Sequence, residues 1–162
     1  MKVGIIADTH DNLTNLKKAT DIFKEKNIDT LLHAGDFVAP FVLRALVGNI
    51  KKLIGVFGNN DGDKLMLAGI AKESGWELHS PPYSLTLAKR NLLLLHEPDI
   101  LDAVVRSSLY DVIIYGHTHK RDIKRERETL IINPGEAGGW LTGKGSVVIL
   151  DLNEMKEEIL PL

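Results

Sequence analysis

The chain has 162 residues, of which 44% are hydrophobic and 26% are charged, and its formal net charge is −2. These values are typical of a globular protein with a sizeable core, so we expect one domain over residues 1–162. No apolar run approaches the roughly 20 residues that cross a bilayer, and the N-terminus does not resemble a cleavable signal. We therefore expect a cytoplasmic protein with no membrane partner.

The composition excludes further classes of site and partner. Without cysteine, the chain cannot form disulfides, thiolate zinc sites or a cysteine nucleophile. The slightly negative net charge gives no bulk positive field, so we do not expect a nucleic-acid polymer as partner. The one basic cluster, residues 120–127, is interrupted by acidic residues, which favours a solvated hairpin over a patch that tracks phosphates.

The first half of the chain predicts alternating strands and helices. Residues 3–7 are continuously apolar, as in a strand that is buried on both faces, and apolar positions then recur at helical spacing. Proline at position 40 is typical of a helix start. The predicted order is strand 3–7, helix 13–27, strand 31–32, helix 40–46, strand 52–57 and helix 64–73.

The second half is richer in strands. Its predicted elements are strands 76–78, 83–87 and 91–95, helix 100–106, and strands 112–115, 129–132, 146–152 and 155–160. Early βα alternation followed by hairpin-like connections predicts an α/β sandwich, with two mixed sheets packed face to face and helices outside. Open α/β sheets generally place their sites in the loops at the carboxyl ends of strands.

Polar motifs follow the apolar runs at five places where such loops are expected. They are Asp8-Thr9-His10, Gly35-Asp36, Gly58-Asn59-Asn60-Asp61, His96 and Gly116-His117-Thr118-His119. Four of the six histidines belong to this set. Carboxylate, imidazole and amide ligands together suit Mn, Fe, Co, Ni or Zn, whereas an all-oxygen set would favour Mg or Ca. The sequence therefore predicts metal-dependent chemistry.

The residue types suggest how two ions would share these ligands. Asp36 is assigned the bridging role, since a carboxylate has two oxygens and Gly35 permits close backbone approach. We expect His117 and His119 to point the same way along an extended segment. One ion would be held by Asp8, His10, Asp36 and His119, and the other by Asp36, Asn59, His96 and His117.

In this order the motifs resemble those of the calcineurin-like binuclear metallophosphoesterases, specifically the small single-domain phosphodiesterase branch. The resemblance covers nearly the whole chain, and Asn133-Pro134-Gly135 is similar to a late turn of that branch. It implies a four-layer αββα sandwich of two mixed β-sheets flanked by helices. It also implies two divalent ions, Mn²⁺ or Ni²⁺ first, with Fe, Co and Zn also compatible. The implied reaction is hydrolysis of a small phosphodiester by a hydroxide that bridges the two ions.

The chain departs from the family pattern at Asn60, where phosphomonoesterase members carry histidine. An amide cannot protonate a leaving group, so we predict a preference for diesters over monoesters. Asn60 and Asp61 are the candidate catalytic residues besides the ligands. Asn60 could hydrogen-bond the phosphoryl group, and Asp61 could orient a neighbouring ligand or cap the next helix. Glu97, where many members have glycine, is expected at the rim.

Other functions of the same fold stay open. A retromer component of similar fold works through its surfaces, so the alternative is a non-catalytic metal-binding scaffold; a phosphomonoesterase or a nuclease is a further one. All family ligand positions are filled here, which favours an enzyme. A homodimer through an exposed apolar strand or helix also stays open.

Several other residues have weaker assignments. His33 is expected to be either a packed strand-end residue or a partner of a ligand, and His79 to lie in an exposed loop. Asp11 and Asn12 are expected to cap the first helix. Trp76 and Trp140 could lie in a core or at an interface. The loop of Glu136, Gly138, Gly139 and Trp140 is expected to be mobile and to border the substrate.

Overall fold

The computed structural model describes residues 1–162, which form two β-sheets. The larger sheet has six strands, and most of its pairs near the centre are parallel. Its strands are β1 (Lys2–Ile6), β2 (Thr30–His33), β3 (Lys52–Val56), β4 (Glu77–His79), β10 (Ser146–Asp151) and β11 (Lys156–Pro161). Their spatial order is β11-β10-β1-β2-β3-β4, with β10 antiparallel to both of its neighbours.

The smaller sheet has five strands and is also mixed. These are β5 (Tyr83–Leu87), β6 (Arg90–Leu94), β7 (Val112–Ile114), β8 (Asp122–Glu126) and β9 (Thr129–Asn133). Their spatial order is β5-β6-β7-β9-β8, in which β6, β7 and β9 run parallel. The outer strands pair antiparallel, so the basic segment forms the β8–β9 hairpin that the sequence predicts.

In each sheet, successive side chains of a strand point to opposite faces, so the two faces pack against different layers. Val3 and Ile5 of β1 belong to an apolar cluster between the sheets, with Leu94 and Ile114 from the smaller sheet. On the opposite face of β1, Gly4 lies against the ring of Phe23. The two-residue period of a strand produces this division, and burial on both faces explains the continuous apolar runs.

The helices cover the outer faces. The larger sheet carries α1 (Leu13–Glu25), α2 (Phe41–Leu46) and α3 (Lys64–Glu73), whereas α4 (Leu101–Ser107) packs on the smaller sheet. Helix, sheet, sheet and helix make four layers, so the predicted αββα sandwich is confirmed. None of these helices is long and apolar enough to cross a membrane.

Asp11 and Asn12 were both expected to cap α1, but only Asn12 does. Asn12 caps α1, because its side chain accepts a hydrogen bond from the Asn15 amide at 3.1 Å. Asp11 does not cap; it accepts from the backbone N–H of Ala39 at 2.9 Å and so connects two loops.

Two further expectations are settled by burial and pairing. His79 belongs to β4, where its ring stacks on Tyr83 at 3.5 Å, so its expected place in an exposed loop is wrong. The sequence signal Ser80-Pro81-Pro82 marks the turn that begins one residue later. Trp76 lies in the core and donates a hydrogen bond to the Lys51 carbonyl.

Candidate functional site

The predicted ligands lie in loops that leave the carboxyl ends of the central strands, and most have an unusual backbone conformation. Five of the seven have positive φ: Asp8 (51°), His10 (41°), Asp36 (60°), His117 (66°) and His119 (59°). Left-handed conformations cost non-glycine residues on the order of 1–3 kcal/mol each, and they concentrate at functional sites. The expected extended segment at His117 and His119 is therefore wrong, because the chain turns at each histidine.

Two glycines let these loops approach one another. A Cβ on Gly35 would lie 2.5 Å from Nδ1 of His96, and a Cβ on Gly58 would overlap Oδ1 of Asp36. No other residue type fits at such distances without displacing a candidate ligand. The close backbone approach expected at Gly35 is thus present, and Gly58 approaches the Asp36 carboxylate from a second loop.

A first group of candidate ligands consists of Asp8, His10 and His119. The Oδ1 atom of Asp8 lies 3.9 Å from Nε2 of His10 and 3.7 Å from Nε2 of His119. One ligand atom from each residue lies within 4.8 Å of the others, close enough for a single metal ion. Asp36 borders the group, with its Oδ2 atom 3.4 Å from Nε2 of His10.

A second group consists of Asn59, His96 and His117. The Asn59 Oδ1 atom lies 2.7 Å from Nε2 of His96 and 3.0 Å from Nδ1 of His117. The same Oδ2 atom of Asp36 lies 3.4 Å from Nε2 of His96. Asp36 is therefore equidistant from a histidine of each group. Asp8, Asp36 and His96 also offer atoms within 4.8 Å of one another, so the two groups are adjacent.

The donor chemistry of the first group fits a cation. Nε2 of His10 is buried and has no hydrogen-bond partner, although it faces the carboxylates of Asp8 and Asp36. Burial without a partner typically costs about 1–3 kcal/mol. An imidazole nitrogen between carboxylate oxygens is a donor set that suits divalent transition metals.

Hydrogen bonds orient one histidine in each group. His96 donates from Nδ1 to the Ala34 carbonyl at 2.8 Å, and His119 donates from Nδ1 to Oε2 of Glu136 at 3.1 Å. Bonds of this kind fix the ring and leave Nε2 as the ligand atom. In both residues Nε2 is the atom that faces the aspartates.

Glu136 has a role that the sequence reasoning did not assign, because the sequence placed it only in a loop expected to border the substrate. It is fully buried, and its carboxylate accepts hydrogen bonds from His119 and from the backbone amides of Leu141 and Thr142. Burial acts to raise the pKa of Glu136, but these hydrogen bonds outweigh it and lower the pKa. The expected mobile loop is thus anchored to a candidate ligand. The sequence feature that could have identified Glu136 was its position directly after the Asn133-Pro134-Gly135 turn at a strand end.

Asn60 and Asp61 both form hydrogen bonds that hold the loops in place. The backbone N–H and the side-chain amide of Asn60 each donate to the Asp36 carboxylate at 2.8 Å. Asp61 accepts from the amides of Val38 and Gly58, at 2.8 and 2.7 Å. The capping alternative for Asp61 is wrong, since Asp63 caps α3.

Comparison with known proteins identifies the family. The model of the calcineurin-like phosphoesterase superfamily domain matches residues 1–155. The chain belongs to this superfamily.

Relatives of this phosphoesterase include phosphodiesterases from archaea and bacteria. Phosphodiesterase MJ0936 of Methanocaldococcus jannaschii is 39% identical over 160 residues, covering 97% of this chain and 96% of that protein. Phosphodiesterase YfcE of Escherichia coli K12 is 25% identical over 154 residues, covering 83% and 78%. A solved archaeal phosphodiesterase superimposes with a TM-score of 0.94 at 36% identity and full coverage of both chains. Vps29 of Entamoeba histolytica shares the fold, with a TM-score of 0.72 at 19% identity and coverage of 100% and 99%.

The pKa values of the two aspartates in the phosphoesterase site are shifted in opposite directions. Burial raises the pKa of Asp8 to about 7, against the opposing charges of His96 and His119. Burial acts in the same direction on Asp36, but hydrogen bonds from His96 and Asn60 lower its pKa well below the usual value. Burial also lowers the pKa of His10, which favours the neutral imidazole. Asp36 is thus an anionic anchor beside a neutral donor.

His33 connects two loops of the phosphoesterase site. Its Nδ1 atom accepts from the Gly35 amide at 3.1 Å, and its Nε2 atom lies 3.4 Å from Oγ1 of Thr9. Thr9 in turn donates to the Asp36 carbonyl at 3.2 Å, and the His33 ring stacks on Phe37 at 3.6 Å. His33 is therefore a packed residue that also joins two ligand loops.

The rim of the phosphoesterase site carries a large aromatic side chain. Trp140 is 65% exposed, and its Nε1 atom donates to the His10 carbonyl at 2.9 Å. Glu97 is exposed next to His96, at the rim position that the sequence predicts. These residues border the candidate ligands without contacting Asp36.

Proposed function

We propose that the chain is a metal-dependent phosphodiesterase that binds two divalent ions, with Mn²⁺ or Ni²⁺ favoured and Fe, Co or Zn compatible. Asp8, His10 and His119 would hold one ion, Asn59, His96 and His117 the other, and Asp36 would bridge them. The observation that carries the proposal is the Oδ2 atom of Asp36, which lies 3.4 Å from Nε2 of both His10 and His96.

Hydrogen bonds from neighbouring residues hold two of these ligands in place. Asn60 holds the Asp36 carboxylate by two hydrogen bonds, and Glu136 orients His119. Two divalent ions in this site would lower the pKa of a water molecule and neutralise phosphate oxygens. Glu136 and the Trp140 indole also restrict the rim loop beside His10, so the loop is held in position beside the site.

A preference for diesters follows from the position of Asn60. Its amide donates a hydrogen bond to Asp36 and is too weak an acid to protonate a leaving group. Without a general acid at this position, esters with good leaving groups should react faster than alkyl monoesters. The phosphodiesterase names of the relatives support this choice. A small phosphodiester is the substrate that we propose.

The deciding experiment compares bis-p-nitrophenyl phosphate with p-nitrophenyl phosphate, using metal-stripped protein with Mn, Ni, Mg or no added metal. We expect turnover that needs metal and favours the diester. In Asn60→His, the share of monoester turnover should rise. Faster monoester cleavage by the unaltered protein would overturn the preference. Absence of turnover in protein shown to bind metal would instead favour the scaffold.

A further inference from the structure

A cationic cavity lies directly beside the candidate metal centre. It has a volume of about 190 Å³ and begins at His119. Its charged lining comes from Lys120, Arg121 and Lys144, and its polar lining includes Thr142 and Ser146. Neither a carboxylate nor a hydrophobic side chain lines it.

The three cations of this cavity make no ion pair within the protein. No carboxylate oxygen lies within 4.0 Å of the side-chain nitrogens of Lys120, Arg121 or Lys144. The same hairpin shows the contrast, because Lys124 pairs with Asp122 at 3.3 Å and Arg125 pairs with Glu157 at 4.0 Å. Three uncompensated positive charges therefore converge on one cavity of a protein with a net charge of −2.

Hydrogen bonds connect two residues of the cavity wall, Thr142 and Ser146, to buried groups. Thr142 donates its backbone N–H to the buried Glu136, and Ser146 donates from Oγ to the Pro134 carbonyl at 2.6 Å. The side-chain stem of Arg121 packs against Gly135 so closely that a Cβ there would lie 2.9 Å from Cγ of the arginine. Arg121, Thr142 and Ser146 are thus held in place, which lowers the entropy lost on binding an anion, whereas Lys120 and Lys144 are exposed.

The opposite side of the metal centre is different. A second cavity there, also of about 190 Å³, is lined by Asn59 and His96 but carries both Lys64 and Glu97. Its charges are of mixed sign, so it offers an anionic group no comparable attraction. A substrate with a charged end would thus be bound preferentially with that end beside His119.

We propose that the cavity of Lys120, Arg121 and Lys144 binds a second anionic group of the substrate, a carboxylate or a phosphate. This inference rests on the proposed function. It narrows the substrate class to small phosphodiesters that carry a further negative charge, which the test below places on the ester group that is not released. Arginine suits either anion through its paired N–H donors, and lysine adds point charge.

Three diesters with the same p-nitrophenyl leaving group test the proposal. Their second ester group would be propyl, 3-carboxypropyl or 3-phosphopropyl, so they share the leaving group and differ in the terminal group, which is neutral in the first and anionic in the other two. Exposed ion pairs are individually weak, but the cavity offers three cations, so we expect kcat/KM to be about three- to tenfold higher for a charged substrate. An advantage limited to 3-phosphopropyl would assign a phosphate, and an equal advantage would assign either anion. The advantage should decrease in 0.5 M salt.

Two triple variants with equal changes in net charge separate this cavity from long-range attraction. The first combines Lys120→Ala, Arg121→Ala and Lys144→Ala; the control combines Lys124→Ala, Arg125→Ala and Arg127→Ala. We expect the ratio of charged to neutral substrate turnover to fall to about one in the first variant only. No advantage for either charged substrate, or equal loss in both variants, would overturn the proposal.

A binding measurement separates failure of this inference from failure of the proposed function. Inorganic phosphate would be titrated into metal-stripped protein while backbone amide NMR signals are followed. Shifts at Arg121, Gly135 and Lys144 that the first variant loses and the control keeps would support the anion subsite, even without turnover. The absence of such shifts would contradict it, whereas lack of turnover on all three diesters would contradict the proposed function alone.

Discussion

The two ligand groups differ in how their polar atoms are satisfied within the protein. In the second group, Oδ1 of Asn59 lies within 3.0 Å of both His96 and His117, so its members contact one another. The first group has no such contact, and Nε2 of His10 is buried without a partner. Electrostatic compensation by a cation therefore matters more to the first group, whereas in the second group the ring nitrogens of His96 and His117 already lie within hydrogen-bond distance of Asn59.

The groups also differ in what orients their histidines. His119 depends on the Glu136 side chain, whereas His96 depends on the Ala34 carbonyl. A backbone acceptor persists in any variant, but a side-chain acceptor can be removed. The first group is thus the one that substitution of an outer residue can weaken selectively.

The largest effect is expected from Asp36→Asn, because this carboxylate faces both groups. Removing its charge should weaken the binding of both ions and lower turnover of bis-p-nitrophenyl phosphate by roughly 10³-fold, since bound metal contributes several kcal/mol to such reactions. Metal stoichiometry, measured by elemental analysis, should fall with activity.

Asp63→Asn is the matched control, since it also removes an aspartate charge but leaves an acceptor at the N-cap of α3. Its activity should stay within about twofold of the unaltered protein's, because surface changes rarely exceed a few tenths of a kcal/mol. Full metal content in Asp36→Asn would contradict a bridging role for this residue.

A smaller and more selective effect is expected from Glu136→Gln. The substitution removes the anionic acceptor of His119 and one of the two oxygens that bind the rim loop. Outer-shell changes of this type typically cost about 10–100-fold in metal affinity or activity. Titration with Mn²⁺ should show one weakened site and one retained site.

Glu97→Gln provides the control on the other side of the site, where Glu97 is exposed beside His96. It removes the same charge but no ligand support, so both affinities should persist. Equal weakening of both sites in Glu136→Gln would show that the two groups are not independent.

These variants also indicate what the sequence could and could not predict. The seven candidate ligands were found because each follows a buried strand, and parallel strands bring their carboxyl ends to one edge. Two packed sheets with helices outside followed from the order of elements and from apolar runs typical of strands buried on both faces, whereas the four-layer arrangement was implied by the family resemblance.

The errors lie where residue type does not determine conformation or contact. His117 and His119 were expected on an extended segment, yet both have positive φ, which histidine rarely adopts without support from tertiary contacts. Glu136 follows a turn that also suits a mobile loop, and only its burial against His119 reveals its role. The bonds from Asn60 to Asp36 join residues 24 positions apart, a pairing that local patterns do not specify.

His33 gives the smallest expected effect at neutral pH, because it touches the site only through the loops that carry Asp8 and Asp36. Burial lowers its pKa to about 3 from the ordinary 6.5. Between these values the unfolded chain binds a proton that the folded protein excludes, so His33 makes stability fall as the pH falls from 6.5. In His33→Asn the amide oxygen can still accept from the Gly35 amide, but the titration is removed.

The measurement is the difference in unfolding free energy between the two proteins, from urea titrations of metal-stripped samples at pH 7 to 4.5. A difference curve is needed because Asp8, whose pKa is raised by burial to about 7, acts in the opposite direction over the same interval. The unaltered protein should lose stability relative to His33→Asn by up to about 1.4 kcal/mol per pH unit. A flat difference curve would mean that His33 takes up a proton within the folded protein, and then the bonds that join Thr9 to Gly35 through its ring could not persist in acid.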